Sequence, residues 1–264
     1  MTALPKGLLK YSTSLSRALS VDYRLSSRSP LGPENPFPCA IIDGIAAYKY
    51  LVCEMGFLPR NITVGGTSAG GNIALAVTRY IVESRLPHLP PPGGLIPASP
   101  VVDLSFSRAD ASSSHYLNAV SDMFDLPPNT HPISVGELSL SAYTGDMDLE
   151  ERGRNRYISP ASKFAIPPNV GDNKLFSGFP RSYVIGGGAE HMVDDMVALA
   201  ERMKEDRVDV TTDFPPDAVH AYFVFGWHEP ERTETLVKCA GWLDEQPAAT
   251  VAVGIADGSE DILV

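Results

Sequence analysis

A glycine-rich turn with a serine at its centre constrains the fold of this sequence more than any other feature. The turn, Gly66 to Gly70 (G-T-S-A-G), follows an apolar β-type run, Asn61–Gly65, and leads into a helical run, Ala69–Glu83. A strand that turns directly into a helix is the repeating unit of parallel α/β sheets. The turn therefore predicts a mostly parallel sheet with helices packed on both faces.

The rest of the chain alternates in the same way between β-type and helical runs. Residues Asp103–Pro160 are the exception, because they are rich in serine, aspartate and proline and predict a cap-like insertion over one end of the sheet. At about 150 residues per domain, a chain of 264 residues favours one domain over 1–264. Other predicted strands are Ala18–Tyr23, Gly94–Ala98, Ser182–Gly186 and Val208–Phe214, and other predicted helices include Cys39–Met55 and Pro230–Asp244.

The charge balance argues against two classes of partner. Lys and Arg number 21 and Asp and Glu 32, so the net charge is −11, which opposes binding to nucleic acids and to anionic membrane surfaces. No apolar run reaches the roughly 18 residues of a membrane span, and the start lacks the apolar core of a signal peptide. The three cysteines, Cys39, Cys53 and Cys239, are typical of buried thiols in a reducing compartment, so we expect a cytoplasmic protein. The sequence indicates no oligomeric state.

Ser68 at the centre of the turn is the strongest candidate for chemistry. A serine on a tight, strained turn projects its Oγ above the sheet edge, and Gly66 and Gly70 on either side leave room for the chain. The helix that starts at Ala69 points its free amides at the same place, where they would stabilise an oxyanion. The alternative is a strand-to-helix turn with an idle serine.

A nucleophilic serine needs a base and a group that orients the base. Among the six histidines, His220 follows the last predicted strand, so it lies at the carboxyl edge of the sheet within reach of the turn. The acid should follow the strand Ser182–Gly186, where Glu190 comes first and Asp194 lies a turn further on. We favour Glu190, with Asp194 as the alternative acid. The order Ser68, Glu190, His220 is that of α/β-hydrolases.

A metal site is the alternative interpretation of the same region. Glu190, His191, Asp194 and Asp195 place metal-type ligands close together along the chain. No second histidine is nearby, so the spacing fits a metal-ligand set poorly and we expect no metal.

Several short motifs, spread from about Leu15 to Leu243, occur together in one known family. The sequence resembles the hormone-sensitive-lipase family of α/β-hydrolases, the fold-3 esterases, and within it fungal members with Thr before the serine. The motifs are V-D-Y-R-L at Val21–Leu25, P-E-N-P-F-P at Pro33–Pro38 with Asp43, G-G-T-S-A-G-G-N at Gly65–Asn72, S-P-V-V-D-L at Ser99–Leu104, and G-A-E at Gly188–Glu190 with Asp194, Asp195 and His220.

The resemblance implies a three-layer α/β-hydrolase fold and hydrolysis of carboxylic esters without a cofactor. It assigns Ser68 as the nucleophile, His220 as the base and Glu190 as the acid, at a position that most members fill with Asp. The substrates we expect are small-molecule esters with small or medium acyl groups.

The sequence departs from the family pattern at its start. Family members carry H-G-G-G upstream of the V-D-Y-R-L strand, and amides of that loop form most of the oxyanion hole; the residues before Val21 contain no such motif. Leu8–Leu19 resembles the helix that follows the loop, so we expect an amino-terminally shortened domain that lacks the first strands and leaves unpaired backbone groups in the sheet. Slow turnover is then expected. The rival expectation is a non-catalytic, ligand-binding member of the fold.

Overall fold

The structure, a computed structural model, describes residues 3–28, 31–122, 135–168, 173–245 and 261–263. No helix within these ranges is both long and apolar enough to cross a membrane. The strands are β1 (Leu15–Ala18), β2 (Ile62–Thr67), β3 (Gly94–Ala98), β4 (Arg181–Ile185), β5 (Val210–Asp213) and β6 (Asp261–Leu263). The helices are α1 (Ala3–Tyr11), α2 (Cys39–Lys49), α3 (Ala69–Ser84), α4 (Ser114–Leu117), α5 (Val135–Thr144), α6 (Leu149–Arg154), α7 (Val193–Glu205) and α8 (Glu231–Asp244), with a π-helical turn at Tyr50–Glu54 and 3-10 turns at Pro59–Asn61 and Tyr222–Val224.

The described strands form one parallel sheet in the order β1-β6-β2-β3-β4-β5. This confirms the predicted α/β class with a mostly parallel sheet. Strand β2 ends in the serine turn and pairs with β3, and β4 and β5 follow on the same side. Because the carboxyl ends of parallel strands meet at one edge, the loops after β2, β4 and β5 converge there.

Two apolar cores cover the two faces of the sheet. Neighbouring residues of a strand point to opposite faces, and Leu95 of β3 belongs to the first core while Ile96 belongs to the second. Helices α2, α3 and α7 bury their apolar sides in the first core. Helices α1 and α8 pack against each other in the second, where Leu8 and Leu236 are fully buried. The three-layer arrangement follows from these two cores.

The amino-terminal elements differ from the predicted ones. The sequence predicted a helix at Leu8–Leu19 and a strand at Ala18–Tyr23, whereas α1 ends at Tyr11 and β1 spans Leu15–Ala18. The segment Ser12–Ser14 leaves the helical path because its polar groups bond the Asp244 carboxylate at the end of α8: the Ser12 Oγ–H donates at 2.5 Å and the Thr13 N–H at 2.8 Å. Such side-chain bonds compete with the helical ladder.

Strand β6 occupies the slot in the sheet where the sequence predicted missing partners. Ile262 lies opposite Ile62 on one side, and Asp261 lies opposite Leu15 on the other. The carboxyl-terminal segment therefore pairs part of both strands. Past β6, the edge of β2 at 64–67 and the segment 19–21 border an apolar cavity of about 210 Å³. Strand β6 thus pairs with β1 and β2 where unpaired backbone groups were expected, and an apolar cavity lies beside the rest of β2.

The three cysteines differ in exposure. Cys239 is buried in the second core, Cys39 is half-buried and Cys53 is exposed. The expectation of buried thiols is therefore wrong for Cys53, which lies on the π-helical turn after α2. The reason is local, since the apolar side of this turn is carried by Leu51.

Candidate active site

Ser68 connects β2 to α3 in a strained backbone conformation. Its φ is +58° and its ψ −118°, a region that residues other than glycine rarely adopt. Backbone hydrogen bonds hold Ser68 in this conformation. The Ser68 N–H donates to the Ala98 carbonyl at 2.9 Å, and the Ser68 carbonyl accepts from the Gly71 N–H at 3.0 Å. The serine side chain lines a pocket at the carboxyl edge of the sheet.

The two glycines of the turn have different steric roles. A Cβ on Gly66 would lie 2.3 Å from the Gly70 carbonyl oxygen, so position 66 has no room for a side chain. A Cβ on Gly70 would meet nothing within 4 Å. The expected crossing of chain segments therefore requires glycine at position 66, while Gly70 contributes the backbone that passes over it.

Ser68, His220 and Glu190 lie in one hydrogen-bonded chain. The His220 Nε2 is 2.9 Å from the Ser68 Oγ, and the His220 Nδ1 is 2.8 Å from Glu190 Oε2. Both His220 and Glu190 are buried. A carboxylate only accepts hydrogen bonds, so the Nδ1–H donates to Glu190 and the neutral Nε2 is left to accept from the serine hydroxyl.

Further donors hold the Glu190 carboxylate from its other side. Glu190 Oε1 accepts from the Ser99 Oγ–H at 2.6 Å and from the Gly187 N–H at 2.6 Å. The Ser99 Oγ in turn accepts from the N–H of Ala221, which follows His220, at 3.1 Å. These bonds fix the direction in which Glu190 faces the imidazole, as a buried ionised carboxylate requires.

The sequence motifs by themselves assign no role to Ser99. It directly follows β3, and Ser99 belongs to the S-P-V-V-D-L motif. Strand β3 lies between β2 and β4, so a polar residue at its carboxyl end is next to both the serine turn and the acid. The place of Ser99 at the carboxyl end of the strand between β2 and β4 was the signal that would have indicated its role.

The other ionisable residues near Glu190 have partners of their own. Asp194 Oδ2 accepts from the Ser114 N–H at 2.7 Å. Asp195 lies 2.9 Å from His115 Nε2, and burial raises the pKa of the Asp195 carboxyl. The rings of His191 and His115 pack edge to face with centroids 5.2 Å apart. The residues of the alternative metal site are thus engaged in other contacts, and within the described ranges no three metal-type ligands cluster.

The pocket above Ser68 has a volume of about 440 Å³ and a mostly apolar wall. Leu104, Leu140 and Met192 are buried apolar members of this wall. Helix α5, which lies in the predicted insertion, contributes Leu140 and Tyr143. Burial raises the pKa of the Tyr143 phenol, so the tyrosine stays neutral. The insertion therefore builds one side of the pocket.

An ion pair neutralises the charged residue at the rim of the pocket. The Arg24 guanidinium donates to the Asp43 carboxylate at 2.8 to 3.1 Å, and the Arg24 N–H adds a bond of 2.9 Å. Hydrogen bonds from Arg24 lower the pKa of Asp43, so the pair stays ionised. The rim consequently offers little net charge to a ligand.

Comparison with known proteins identifies relatives that match most of this chain. A family model described as alpha/beta hydrolase fold matches residues 12–224. The carboxylesterase NlhH of Mycobacterium tuberculosis is 28% identical over 232 residues, which make up 82% of this chain and 59% of that protein. An acetyl-hydrolase of Streptomyces hygroscopicus is 27% identical over 201 residues, 75% of this chain and 56% of that protein. The chain therefore spans less than two thirds of the length of these relatives.

Two solved structures share the architecture. A hormone-sensitive lipase from a metagenome library has a TM-score of 0.71 at 30% identity, over 93% of this chain and 72% of that chain. An esterase/lipase from an uncultured bacterium has a TM-score of 0.70 at 29% identity, over 91% and 68%.

Proposed function

The chain belongs to the alpha/beta hydrolase fold family, and from this membership we propose that it hydrolyses carboxylic esters with Ser68 as nucleophile, His220 as base and Glu190 as the orienting acid. The observation that carries the proposal is the hydrogen-bonded chain from Ser68 Oγ through His220 to Glu190, with distances of 2.9 and 2.8 Å. The names of the carboxylesterase and acetyl-hydrolase relatives support the same reaction class.

The reaction begins when the Ser68 Oγ attacks the ester carbonyl. His220 Nε2 takes the serine proton, and Glu190 stabilises the imidazolium that forms. Collapse of the tetrahedral intermediate expels the alcohol, which receives the proton from His220, and leaves an acyl group on Ser68. A water molecule then attacks the acyl-enzyme with the same assistance from His220, which releases the carboxylic acid and restores the serine.

Stabilisation of the oxyanion is assigned to the amino end of α3. The backbone N–H of Ala69 is the first of the helix and borders the pocket beside Ser68. Free amides at a helix amino terminus favour negative charge. The loss of one oxyanion donor costs about 10²–10³ in kcat, so the slow turnover expected from the sequence remains a prediction that kcat will test.

The substrate class follows from the pocket. A volume of about 440 Å³ with a largely apolar wall suits a small or medium acyl chain. The paired Arg24 and Asp43 at the rim offer no free charge to a carboxylate or phosphate. Uncharged small esters are therefore the proposed substrates.

The test combines labelling with turnover. Ser68→Ala is expected to abolish both reaction with a fluorophosphonate probe and hydrolysis of p-nitrophenyl butyrate, while Ser84→Ala at the far end of α3 keeps both. Labelling of the Ser68→Ala variant at the rate of the unchanged chain would place the nucleophile elsewhere. Binding of the ester without labelling or turnover in the unchanged chain would favour the rival function, a ligand-binding protein.

A further inference from the structure

One carboxylate joins the two loops that carry Glu190 and His220. Asp122 Oδ2 accepts from the N–H of His191, the residue after Glu190, at 2.8 Å. Asp122 Oδ1 accepts from the N–H of His220 itself at 3.1 Å. We propose that Asp122 is a positioning residue that sets the spacing between the acid and the base; the proposal rests on the proposed function of that site.

Residues close to Asp122 along the chain also bond the loop that carries Glu190, the acid loop. Asn118 Nδ2 donates to the carbonyl of Glu190 at 2.8 Å and to that of Gly188 at 3.2 Å. The Ser121 Oγ–H donates to the Ala189 carbonyl at 3.2 Å, and the Ser114 Oγ–H donates to the His191 carbonyl at 2.8 Å. Helix α4 and the turn after it therefore form a brace, residues 114–122, on the outside of the site.

This brace lies in the segment that the sequence predicted to be a cap. Of the described residues of the predicted insertion, Leu104 and three residues of α5 line the pocket, whereas Asp122 does not border it. The brace thus contacts the loops that carry Glu190 and His220, whereas Leu104 and α5 contribute to the wall of the pocket. The division explains why a serine- and aspartate-rich stretch with little apolar content is placed next to buried residues.

The acid loop, which carries Glu190 after β4, packs by its backbone against the loop that carries His220. A Cβ on Gly187 would lie 2.1 Å from the Ala218 carbonyl oxygen, and a Cβ on Gly188 would lie 2.7 Å from Pro216 Cα. The two loops are joined directly by backbone hydrogen bonds, from the Gly188 N–H to the Pro215 carbonyl at 2.7 Å and from the Ala189 N–H to the Ala218 carbonyl at 3.0 Å. A side chain from a third element adds to this connection. Asp122 does so at the two peptide groups nearest the catalytic side chains.

The first test is Asp122→Asn in the full chain. The Asn side chain keeps one acceptor and turns an NH₂ group toward the other N–H, which breaks one side of the bridge. Misplacement of catalytic groups by about 1 Å costs on the order of 100-fold, so we expect kcat for p-nitrophenyl butyrate to fall about 10- to 100-fold. KM should stay within about 2-fold, since Asp122 does not border the pocket.

The matched control is Asp110→Asn in the same predicted insertion, where the Asp110 carboxylate accepts from the N–H and the Oγ–H of Ser112 within its own turn. It should leave both constants unchanged. An equal fall of kcat in both variants, or an unchanged kcat in Asp122→Asn, would overturn the proposal.

A second readout does not depend on turnover. The proton on His220 Nδ1, bonded to Glu190, should give a downfield NMR resonance that shifts or disappears in Asp122→Asn and stays in Asp110→Asn. An unmoved resonance would contradict the positioning role. If the unchanged chain shows no esterase activity, the proposed function fails and this resonance alone decides the role of Asp122.

If Asp122→Asn does not fold, Asn118→Ala is measured instead, with the same two readouts. It removes the donors to the carbonyls of Glu190 and Gly188, and we expect kcat to fall about 3- to 10-fold at unchanged KM. Unchanged kcat and an unmoved His220 resonance in this variant would overturn the proposal.

Discussion

At the scale of single residues, the site is defined by which carboxylate faces the imidazole. Glu190 has a hydrogen bond to His220 Nδ1, and Asp194 has one to the backbone of Ser114. Glu190 lies in the loop after β4, beside the loop of His220, whereas Asp194 lies in the first turn of α7 and faces the start of α4.

We predict that Glu190→Gln and Asp194→Asn have very different effects. The Gln amide donates to His220 Nδ1 and thereby places the ring proton on Nε2, where it no longer accepts from Ser68. Loss of the correct tautomer lowers kcat by about 10⁴ in a serine triad. Asp194→Asn should keep kcat within about 3-fold, since its bond to Ser114 is distant from the ring. Steady-state kinetics on one ester measures both, and a larger loss in Asp194→Asn would reverse the assignment.

The serine turn provides a second comparison between neighbouring residues. Gly66→Ala places a Cβ 2.3 Å from the Gly70 carbonyl oxygen, whereas Gly70→Ala places one in open space. We therefore expect Gly66→Ala to lower the free energy of unfolding by about 1–3 kcal/mol through overpacking. Gly70→Ala should be neutral or slightly stabilising, because alanine favours a helix. Urea denaturation of the two variants tests this, and equal losses would be the contrary result.

At the scale of secondary-structure elements, one side chain ties α8 to the start of β1. The Asp244 carboxylate accepts from the hydroxyls of Ser12, Thr13 and Ser14 and from the backbone amides of Thr13 and Ser14. Partial burial opposes ionisation of Asp244, but the bonds from Ser12 and Ser14 together outweigh it and lower the pKa of the carboxyl. The contact positions α1 and β1 on the second core.

This contact predicts a pH-dependent contribution to stability. The pKa of Asp244 is lower in the folded than in the unfolded state, so its contribution is full above the unfolded value of about 3.9 and is lost as the pH falls below it. Asp244→Ala should lower the free energy of unfolding by about 1–3 kcal/mol at pH 7, and the difference should shrink at pH 3. Glu245→Ala is the control in the same urea titrations; a difference for Asp244→Ala that grows toward pH 3 would refute the sign.

At the scale of the whole molecule, the sheet is completed by residues from the opposite end of the chain. Strand β6 pairs with β1 and with the start of β2. The carboxyl end of β2 leads into the serine turn. Without β6, both strands would present unpaired backbone groups, a state that lowers stability and promotes aggregation.

We predict that a chain ending at residue 260 is less stable than the full chain. A few backbone hydrogen bonds at about 0.5–1.5 kcal/mol each amount to about 2 kcal/mol, which corresponds to a Tm lower by about 4–8 °C for a protein of this size. A second chain ending at residue 245 also lacks β6 and should be less stable than the full chain for the same reason. Thermal unfolding by circular dichroism measures the three chains, and an unchanged Tm at residue 260 would show that β6 does not support the sheet.

The sequence by itself was enough for features that depend on neighbours along the chain. Apolar periodicity and the glycine-rich turn predicted β3 at Gly94–Ala98 and the start of α3 at Ala69 with the observed bounds. The order of strands in a parallel sheet also brought Ser68, Glu190 and His220 to one edge, because carboxyl ends of parallel strands converge.

Only the tertiary structure decided features that depend on residues far apart in the chain. The helix predicted at Leu8–Leu19 ends early because Asp244, 232 residues from Ser12, satisfies the polar groups that follow α1. Ser99 faces Glu190 across 91 residues, and Asp122 reaches His220 across 98. Local sequence propensity does not reveal such partners. A side-chain hydrogen bond depends on where the folded backbone places both groups. The folded backbone in turn depends on the packing of the whole sheet.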